Sequence, residues 1–245
     1  MLKISDLSVS VGKKLIIDNL NLEIAKGKKV AVMGPNGSGK STLSNIIAGK
    51  PGYNVIKGSV TFEGESILDY SPNDRAAMGI YLAFQYPIEI PGIANSSFLR
   101  TAINSVRKKN NEEPVNTRKF LEEIESIAKK LDLDKSFLSR DMNCGFSGGE
   151  KKKNEILHLL LLKPKFCILD EIDSGLDIDS LKIISKGISE YGSSSNSMLI
   201  ITHYQRLLDY VIPDEVHIFN QGKIVKSGNS EVVKTLEEKG YKEFT

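Results

Sequence analysis

Gly34-Pro35-Asn36-Gly37-Ser38-Gly39-Lys40-Ser41-Thr42 is the stretch on which the reading of this chain turns. It fits the pattern G-x-x-x-x-G-K-[ST], a P-loop, with Gly34, Gly39, Lys40 and Ser41 in the fixed places. Three glycines let the backbone curl until successive N–H groups point into one concavity, where a phosphate oxygen can replace water. Lys40 brings a point charge to the β- and γ-phosphates, and Ser41 offers a hydroxyl to Mg2+. The flanks agree. Lys29–Met33 (Lys-Val-Ala-Val-Met) is a short apolar run of buried-strand type, and Ser41–Ala48 reads as a helix stopped by Gly49. An anion held here sits at a helix N-terminus. A chance match in a glycine-rich turn would lack both flanks.

Composition narrows the setting. The 245 residues suffice for one large α/β domain or two small ones. The 40% hydrophobic and 26% charged shares are ordinary for a globular chain, so a packed core is expected. A net charge of +2 gives no case for nucleic acid or an anionic membrane. No run approaches the ~18 apolar residues of a membrane span. The most apolar stretch, Ile156–Leu162, is short and carries His158. The start, Met-Leu-Lys-Ile-Ser-Asp, has no signal-peptide core, so a cytoplasmic location is expected. Cys144 and Cys167 make no disulfide framework and lack metal-ligand spacing. Cys167 lies in an apolar run and is expected in the core.

Upstream of the P-loop, short strands are expected at Leu2–Ile4, Ser8–Val11, Leu15–Ile17 and Leu20–Ile24, the last with one buried face from Leu20, Leu22 and Ile24. Downstream, Gly58–Phe62 with the Glu63-Gly64 turn suggests a hairpin, and Ser71-Pro72-Asn73-Asp74 starts a helix. Ile80–Phe84 is a second apolar strand that ends at Gln85. Tyr86–Ile93 then reads as a proline-rich apolar loop, its two prolines arguing against a strand. Exposed, its isoleucines would form a partner patch; packed, they would cap the core. From Ser96 to about Leu138 the pattern is helical, with Phe120, Leu121, Ile124, Ile127, Ala128 and Leu131 on one face and Asn116 or Thr117 as a cap. Lys108–Pro114 reads as an exposed linker between helices.

Phe146-Ser147-Gly148-Gly149-Glu150 leads into a helix through Leu162. Ser147 and Glu150 have capping-box spacing, and the two glycines equally expose N–H groups that suit a second anion site. Phe166–Leu169 is an apolar strand that delivers Asp170 and Glu171 at its end, where parallel sheets bind ligands. Beside a Mg2+–phosphate site Asp170 can orient the metal and its waters, and Glu171 can take a proton from an attacking water. A plain surface acidic pair is the alternative. Ser174-Gly175-Leu176-Asp177 reads as a turn. Met198–Thr202 is a strand ending on His203. A hairpin of Glu215–Phe219 and Lys223–Val225 and a helix at Ser230–Lys239, closed by Gly240, finish the chain.

In order and spacing, Gly34–Thr42, Gln85, Ser147–Glu150, Asp170–Glu171, Asp177 and His203 resemble the motifs of the ABC ATPase nucleotide-binding domain across nearly the whole chain. The resemblance implies an α/β fold: a P-loop NTPase core with a mostly parallel sheet flanked by helices, an N-terminal antiparallel β subdomain and an inserted α-helical subdomain. It implies a single domain over 1–245, with the core in about 1–85 and 163–245 and the helical part in about 86–162. ATP and Mg2+ are the implied ligands. Gly34, Pro35, Asn36, Gly37, Ser38, Gly39, Lys40, Ser41 and Thr42 would bind nucleotide. Ser41, Gln85 and, through water, Asp170 would serve the metal. Glu171, Gln85 and His203 would be catalytic. Ser147, Gly148, Gly149 and Glu150 would act as the signature motif on the nucleotide of a second copy in a transient ATP-dependent homodimer, with Asp177 in the D-loop.

Phe84-Gln85-Tyr86-Pro87 running into Glu89-Ile90-Pro91-Gly92, Gly145–Lys153, Thr202-His203-Tyr204-Gln205-Arg206, and Gly228 through Gly240-Tyr241 are similar to the SufC family, the ABC-type ATPases of SUF iron–sulfur cluster assembly. That family implies soluble SufB/SufD-type scaffold proteins as partners, with no nucleic acid and no direct membrane insertion. The ATP-binding subunit of a membrane ABC transporter is the alternative, because both share every catalytic motif. Two positions depart from the ABC pattern. Glu150 stands where most members carry Gln. Val11 stands where an aromatic usually stacks on adenine, and losing about 1–3 kcal/mol of stacking implies weak base selectivity.

Overall fold

Alternating apolar residues build the first layer. In the computed structural model, which describes residues 1–192 and 196–244, β1 (Leu2–Val11) and β2 (Lys14–Ile24) are long antiparallel strands. The sequence suggests four short pieces. Asp6 and Asn19 take positive φ at the expected breaks, and the register shifts between Ile4 and Leu7, so irregularities absorb the polar residues and each strand continues. Leu20, Leu22 and Ile24 are buried, as their alternation requires. The chain crosses to a second sheet through β3 (Lys29–Met33) and α1 (Lys40–Ala48), closed by Gly49. It returns for β4 (Asn54–Phe62) and β5 (Glu65–Ser66), completing a four-stranded antiparallel sheet in the order β2-β1-β4-β5.

Then α2 (Pro72–Met78) starts on Ser71, whose hydroxyl accepts from the Asp74 N–H, and β6 (Ile80–Ala83) follows. β7 (Ile90–Ala94) corrects the loop expectation. Despite Pro91 it pairs antiparallel with β8 (Asp141–Met142), an isolated two-stranded ribbon in which a missing N–H costs little. Between them lie α3 (Asn95–Lys109) and α4 (Thr117–Lys130), the latter capped by Asn116. Phe120, Ile124, Ile127, Ala128 and Leu131 are buried as expected, but Leu121 is 45% exposed. Its position falls at the edge of the stripe and turns toward solvent rather than the inner face.

The remaining elements are α5 (Gly148–Leu162), β9 (Phe166–Asp170), α6 (Ile178–Gly192), β10 (Ser197–Thr202), the short α7 (Gln205–Leu208), β11 (Glu215–Asn220), β12 (Lys223–Gly228) and α8 (Ser230–Lys239). They form a six-stranded sheet, β12-β11-β3-β10-β9-β6, parallel except for the edge strand β12. Its inner strands read as continuous apolar runs because both faces are covered. Val30, Val32, Ile168, Leu199 and Ile201 face α1 and the antiparallel sheet, whereas Ala31, Met33, Cys167, Leu169 and Ile200 face α5, α6 and α8.

The structure adds α6, a helix not expected from the sequence, with Leu181, Ile184, Ile188 and Tyr191 on its buried face. Gly187 interrupts that stripe for a packing reason: a Cβ there would lie 2.5 Å from the Ile156 Cγ2 of α5. Gly187→Leu should therefore overpack the α5–α6 contact and cost about 1–3 kcal/mol. A thermal melt should show a midpoint several degrees lower. An unchanged midpoint would mean that the two helices separate freely.

Candidate functional site

Four parallel strands end on one edge of the sheet, and each delivers a candidate residue there. The P-loop follows β3, Gln85 lies just beyond β6, Glu171 follows β9, and His203 follows β10. With Asn36, Gly37, Gly39, Lys40, Ser41 and Thr42 they line a cavity of about 610 Å3, together with Lys14, Ile16, Tyr86 and Ser174.

The P-loop is braced from behind. Gly34 lies so close to β11 that a Cβ would come within 2.1 Å of the Phe219 carbonyl. The Gly222 N–H of the β11–β12 turn donates to the Ser38 carbonyl at 2.8 Å. Gly39 adopts φ 109, a conformation a side chain disfavours, and so turns the backbone into α1. Lys40 is buried. Its Nζ donates to the carbonyls of Gly34 at 2.7 Å and Pro35 at 3.0 Å, and Glu171 Oε1 lies 3.9 Å away. Burial lowers the Lys40 pKa, and the carboxylates of Glu171 and Asp170 oppose that shift.

Asp170 and Glu171 are both buried, which rules out a surface acidic pair. Asp170 Oδ2 accepts from the Ser44 hydroxyl at 2.7 Å and Oδ1 from Ser41 at 3.4 Å. Burial raises its pKa against those hydrogen bonds. Glu171 sits at φ 48, strained for a residue with a side chain, and its N–H is held by the Ile201 carbonyl at 2.9 Å. Its Oε2 accepts from Gln85 Nε2 at 2.5 Å, and its Oε1 lies 3.5 Å from His203 Nδ1, which has no hydrogen-bond partner of its own. Gln85, Glu171, His203 and Lys40 thus meet at one carboxylate.

The pieces fit a metal-bound triphosphate. Ser38 Oγ is buried without a partner, and space is open beyond the Gly37 Cα. Ser41 and Asp170 are oxygen donors, the hard ligands that suit Mg2+. Val11 is exposed and Ile16 lines the cavity, so no aromatic face is offered from the Val11 position.

Ser147 and Asp177 lie elsewhere. Neither lines this cavity. Ser147 closes the full capping box: its Oγ accepts from Glu150 N–H at 3.2 Å, and Glu150 Oε2 accepts from Ser147 N–H at 2.7 Å. Its hydroxyl proton remains available to donate. Asp177 heads α6, accepting from Ser180 N–H at 2.7 Å and Ser180 Oγ at 3.1 Å, and the first of these lowers its pKa. Cys167 is buried in β9, where burial raises its thiol pKa, and it packs in the core as expected.

Several site-facing residues escaped the sequence reading. Lys152 Nζ donates to the carbonyls of Gln85 at 2.6 Å, Phe84 at 3.2 Å and Glu171 at 3.3 Å. Read as one of three consecutive lysines it looks solvated, yet it is buried and lies on the same helix face as Glu155. Glu155 accepts from the Phe84 N–H and the Tyr81 hydroxyl, and burial pushes its pKa up to about 7. The buried Asp173 accepts from Thr202 Oγ1 at 2.9 Å, and its carbonyl accepts from Arg206 Nη2 at 2.8 Å, locking the turn around His203. Nothing short of the fold would have exposed that pair. Ser44, four residues after Lys40, was legible from helical spacing alone.

The ABC transporter family model matches residues 17–174, a span that holds the P-loop, Gln85, Ser147 and Glu171. The chain belongs to the ABC ATPase family. Within the family it resembles SufC proteins. That of Escherichia coli (strain K12) is 51% identical over 241 residues, covering 98% of this chain and 97% of the relative. The iron–sulfur cluster assembly protein SufC of Plasmodium falciparum is 49% identical, covering all of this chain and 71% of the relative. The fold matches a dimeric bacterial ABC transporter cassette, MJ0796, with a TM-score of 0.80 over 94% of this chain and 98% of that one, at 20% identity. Among the described residues no helix is long and apolar enough to cross a membrane.

The Glu155 shift has a readable consequence. The folded protein holds its proton up to about pH 7, whereas an ordinary glutamate releases it near 4.5. Its contribution to stability is therefore fully present below about 4.5 and is lost as pH rises through about 7. Glu155→Gln should remove that dependence. Thermal midpoints of wild type and variant should diverge in the wild type's favour on going from pH 7.5 down to pH 5. A gap that stays constant with pH would contradict the burial argument.

Proposed function

We propose that this chain is the ATP-hydrolysing subunit of a SUF-type iron–sulfur cluster assembly machine. The observation that carries the proposal is the convergence of Lys40, Gln85 and His203 on the Glu171 carboxylate, at the mouth of a P-loop. The similarity to the iron–sulfur cluster assembly protein SufC of Plasmodium falciparum supports the assembly role.

In this reading Gly34–Thr42 cradle the phosphates with backbone N–H groups. Lys40, now resting on two carbonyls, turns to the transferred phosphoryl group. Ser41 and Gln85, with Asp170 behind them, hold Mg2+, which neutralises charge on the phosphates when bound. Glu171 accepts the proton of the attacking water. His203 donates a ring N–H to the phosphate. Ser147–Glu150 of a second copy supply the opposing donors, and the segment from about 86 to 162 acts as the helical subdomain that carries them.

Tyr86 is 81% exposed and Ile88 65%, with Ile93 beside them. That apolar surface, immediately after Gln85, suits docking by a SufB/SufD-type scaffold in the cytoplasm. The second reading, a membrane transporter subunit, is kept open by names such as "Probable ATP-dependent transporter" among the relatives. Native co-purification separates them: scaffold proteins without transmembrane segments are expected, and a stably bound integral membrane permease would overturn the assembly role.

The chemistry is tested apart from the partner. Glu171→Gln should keep ATP binding and hydrolyse at least ~10²-fold more slowly. Lys40→Ala should abolish binding or turnover, since its charge-assisted contact to phosphate is gone. Steady-state turnover and nucleotide binding decide both. Near-normal turnover in Glu171→Gln would remove Glu171 from the mechanism. Because Val11 offers no ring on which a base could stack, base selectivity should be weak, and GTP should compete with ATP within about tenfold in a nucleotide-binding assay.

A further inference from the structure

Glu155 is a buried carboxylate that no step above uses. It lies on α5, two turns beyond Ser147, and points across the boundary between the helical layer and the sheet. The sheet ladder of β6 ends where Ala83 pairs with Leu169. At the next residue Glu155 Oε2 accepts from the Phe84 N–H at 3.2 Å. The same oxygen accepts from the Tyr81 hydroxyl at 3.1 Å, and that hydroxyl also donates to the Glu155 carbonyl at 3.1 Å. Tyr81 thereby fixes the carboxylate from the strand side. One residue further on, Gln85 reaches Glu171.

We propose that Glu155 is a positioning residue for Gln85. By holding the Phe84 N–H it fixes the Ala83–Phe84 peptide, one residue before the Gln85 side chain that reaches the Glu171 carboxylate. The inference rests on the reading of Glu171 as the base and of Gln85 as its neighbour at the reacting water. Three features support it. The contact lies between β6 and the exposed segment at Tyr86, past the last β6–β9 pair, where Lys152 holds the carbonyls of Phe84 and Gln85 and Glu155 holds the N–H. A buried carboxylate next to an apolar strand is costly unless its hydrogen bonds do something a hydrophobic residue could not. And the acceptor is an oxygen present in both the ionised and the neutral carboxyl, so the hold does not depend on the charge.

That last point sets the test. Glu155→Gln keeps an oxygen that can accept the Phe84 N–H, whereas Glu155→Met fills similar space and keeps none. Amide hydrogen exchange of the Phe84–Gln85 backbone should rise roughly tenfold in Glu155→Met and stay near wild type in Glu155→Gln, as loss of one hydrogen bond predicts. In steady-state assays Glu155→Met should lower kcat about tenfold or more with KM for ATP within about twofold, because the P-loop is untouched and only alignment is lost. Glu155→Gln should recover kcat. In a Gln85→Ala background Glu155→Met should cost nothing further, a coupling that a merely structural role would not show. Tyr81→Phe, which removes the second donor only, should be close to wild type. If Glu155→Met does not fold, Glu155→Ala is used in its place.

Unchanged exchange at Phe84 would overturn the proposal whatever turnover does. So would faster exchange with unchanged kcat. A Glu155→Gln variant as slow as Glu155→Met would overturn it as well, since charge beside Lys152 would then be the operative feature. Failure of the Glu171 reading looks different: Glu171→Gln would retain turnover, and the exchange data would still decide whether Glu155 holds the peptide.

Discussion

A buried ammonium with its nearest carboxylate at the limit of ion pairing is a costly group, and Lys40 is that group. Its Nζ is satisfied by the Gly34 and Pro35 carbonyls and lies 3.9 Å from Glu171. Taking a charge out of water is tolerated only where hydrogen bonds and opposite charge await it. Much of the architecture answers that requirement. The close approach of Gly34 to β11, the brace from Gly222 to the Ser38 carbonyl and the left-handed turn at Gly39 fix the loop around the ammonium. The parallel sheet brings Glu171 and Asp170 to the same edge. An incoming anion would find the cation already desolvated, so little reorganisation stands between the empty loop and a bound phosphate.

The helical insertion reaches the same edge through one element. α5 begins at the Ser147 capping box and runs back past the sheet. Lys152 holds three carbonyls around Gln85 and Glu171, and Glu155 holds the N–H before them. Between Lys152 and Glu155, Asn154 bonds to Asn95 and Asn143, both buried, and Asn143 Nδ2 donates to the Ile88 carbonyl at 2.8 Å. The exposed stretch of Tyr86 and Ile88 is thus tied at both ends to the helix that carries Ser147. In the proposed reading, a scaffold that pulls on this stretch acts on Gln85 and on the signature serine together, because a network of buried polar bonds has few intermediate arrangements.

The sequence made much of this legible. The P-loop, its flanking strand and helix, and the strand ends at Gln85, Asp170 and His203 follow from glycine spacing and apolar runs. The cap at Ser147 follows from a four-residue pattern, and the alternation of Leu20, Leu22 and Ile24 gave the buried face of β2. What stayed hidden needed three dimensions. β7 pairs with a two-residue strand some fifty residues away, and no local signal marks Asp141 and Met142. The continuity of β1 and β2 past Asp6 and Asn19 has no sequence signal, because positive φ within a strand is invisible in composition. Lys152 and Glu155 carry no local signal of burial, because their partners are groups of a segment far off in sequence. Ser147 and the P-loop, in turn, are adjacent in no single copy on the page of sequence, and the cavity lined by the P-loop holds neither Ser147 nor Asp177.

That separation makes the composite site the point at which the proposed mechanism is most exposed. Light scattering on Glu171→Gln with ATP and Mg2+ addresses it directly, because binding is kept while hydrolysis no longer disperses the product. A stable dimer that forms with ATP, is absent with ADP, and is lost when Ser147→Arg is added is the expected result. A monomer under all three conditions, with turnover per chain independent of concentration and untouched by Ser147→Arg, would contradict it.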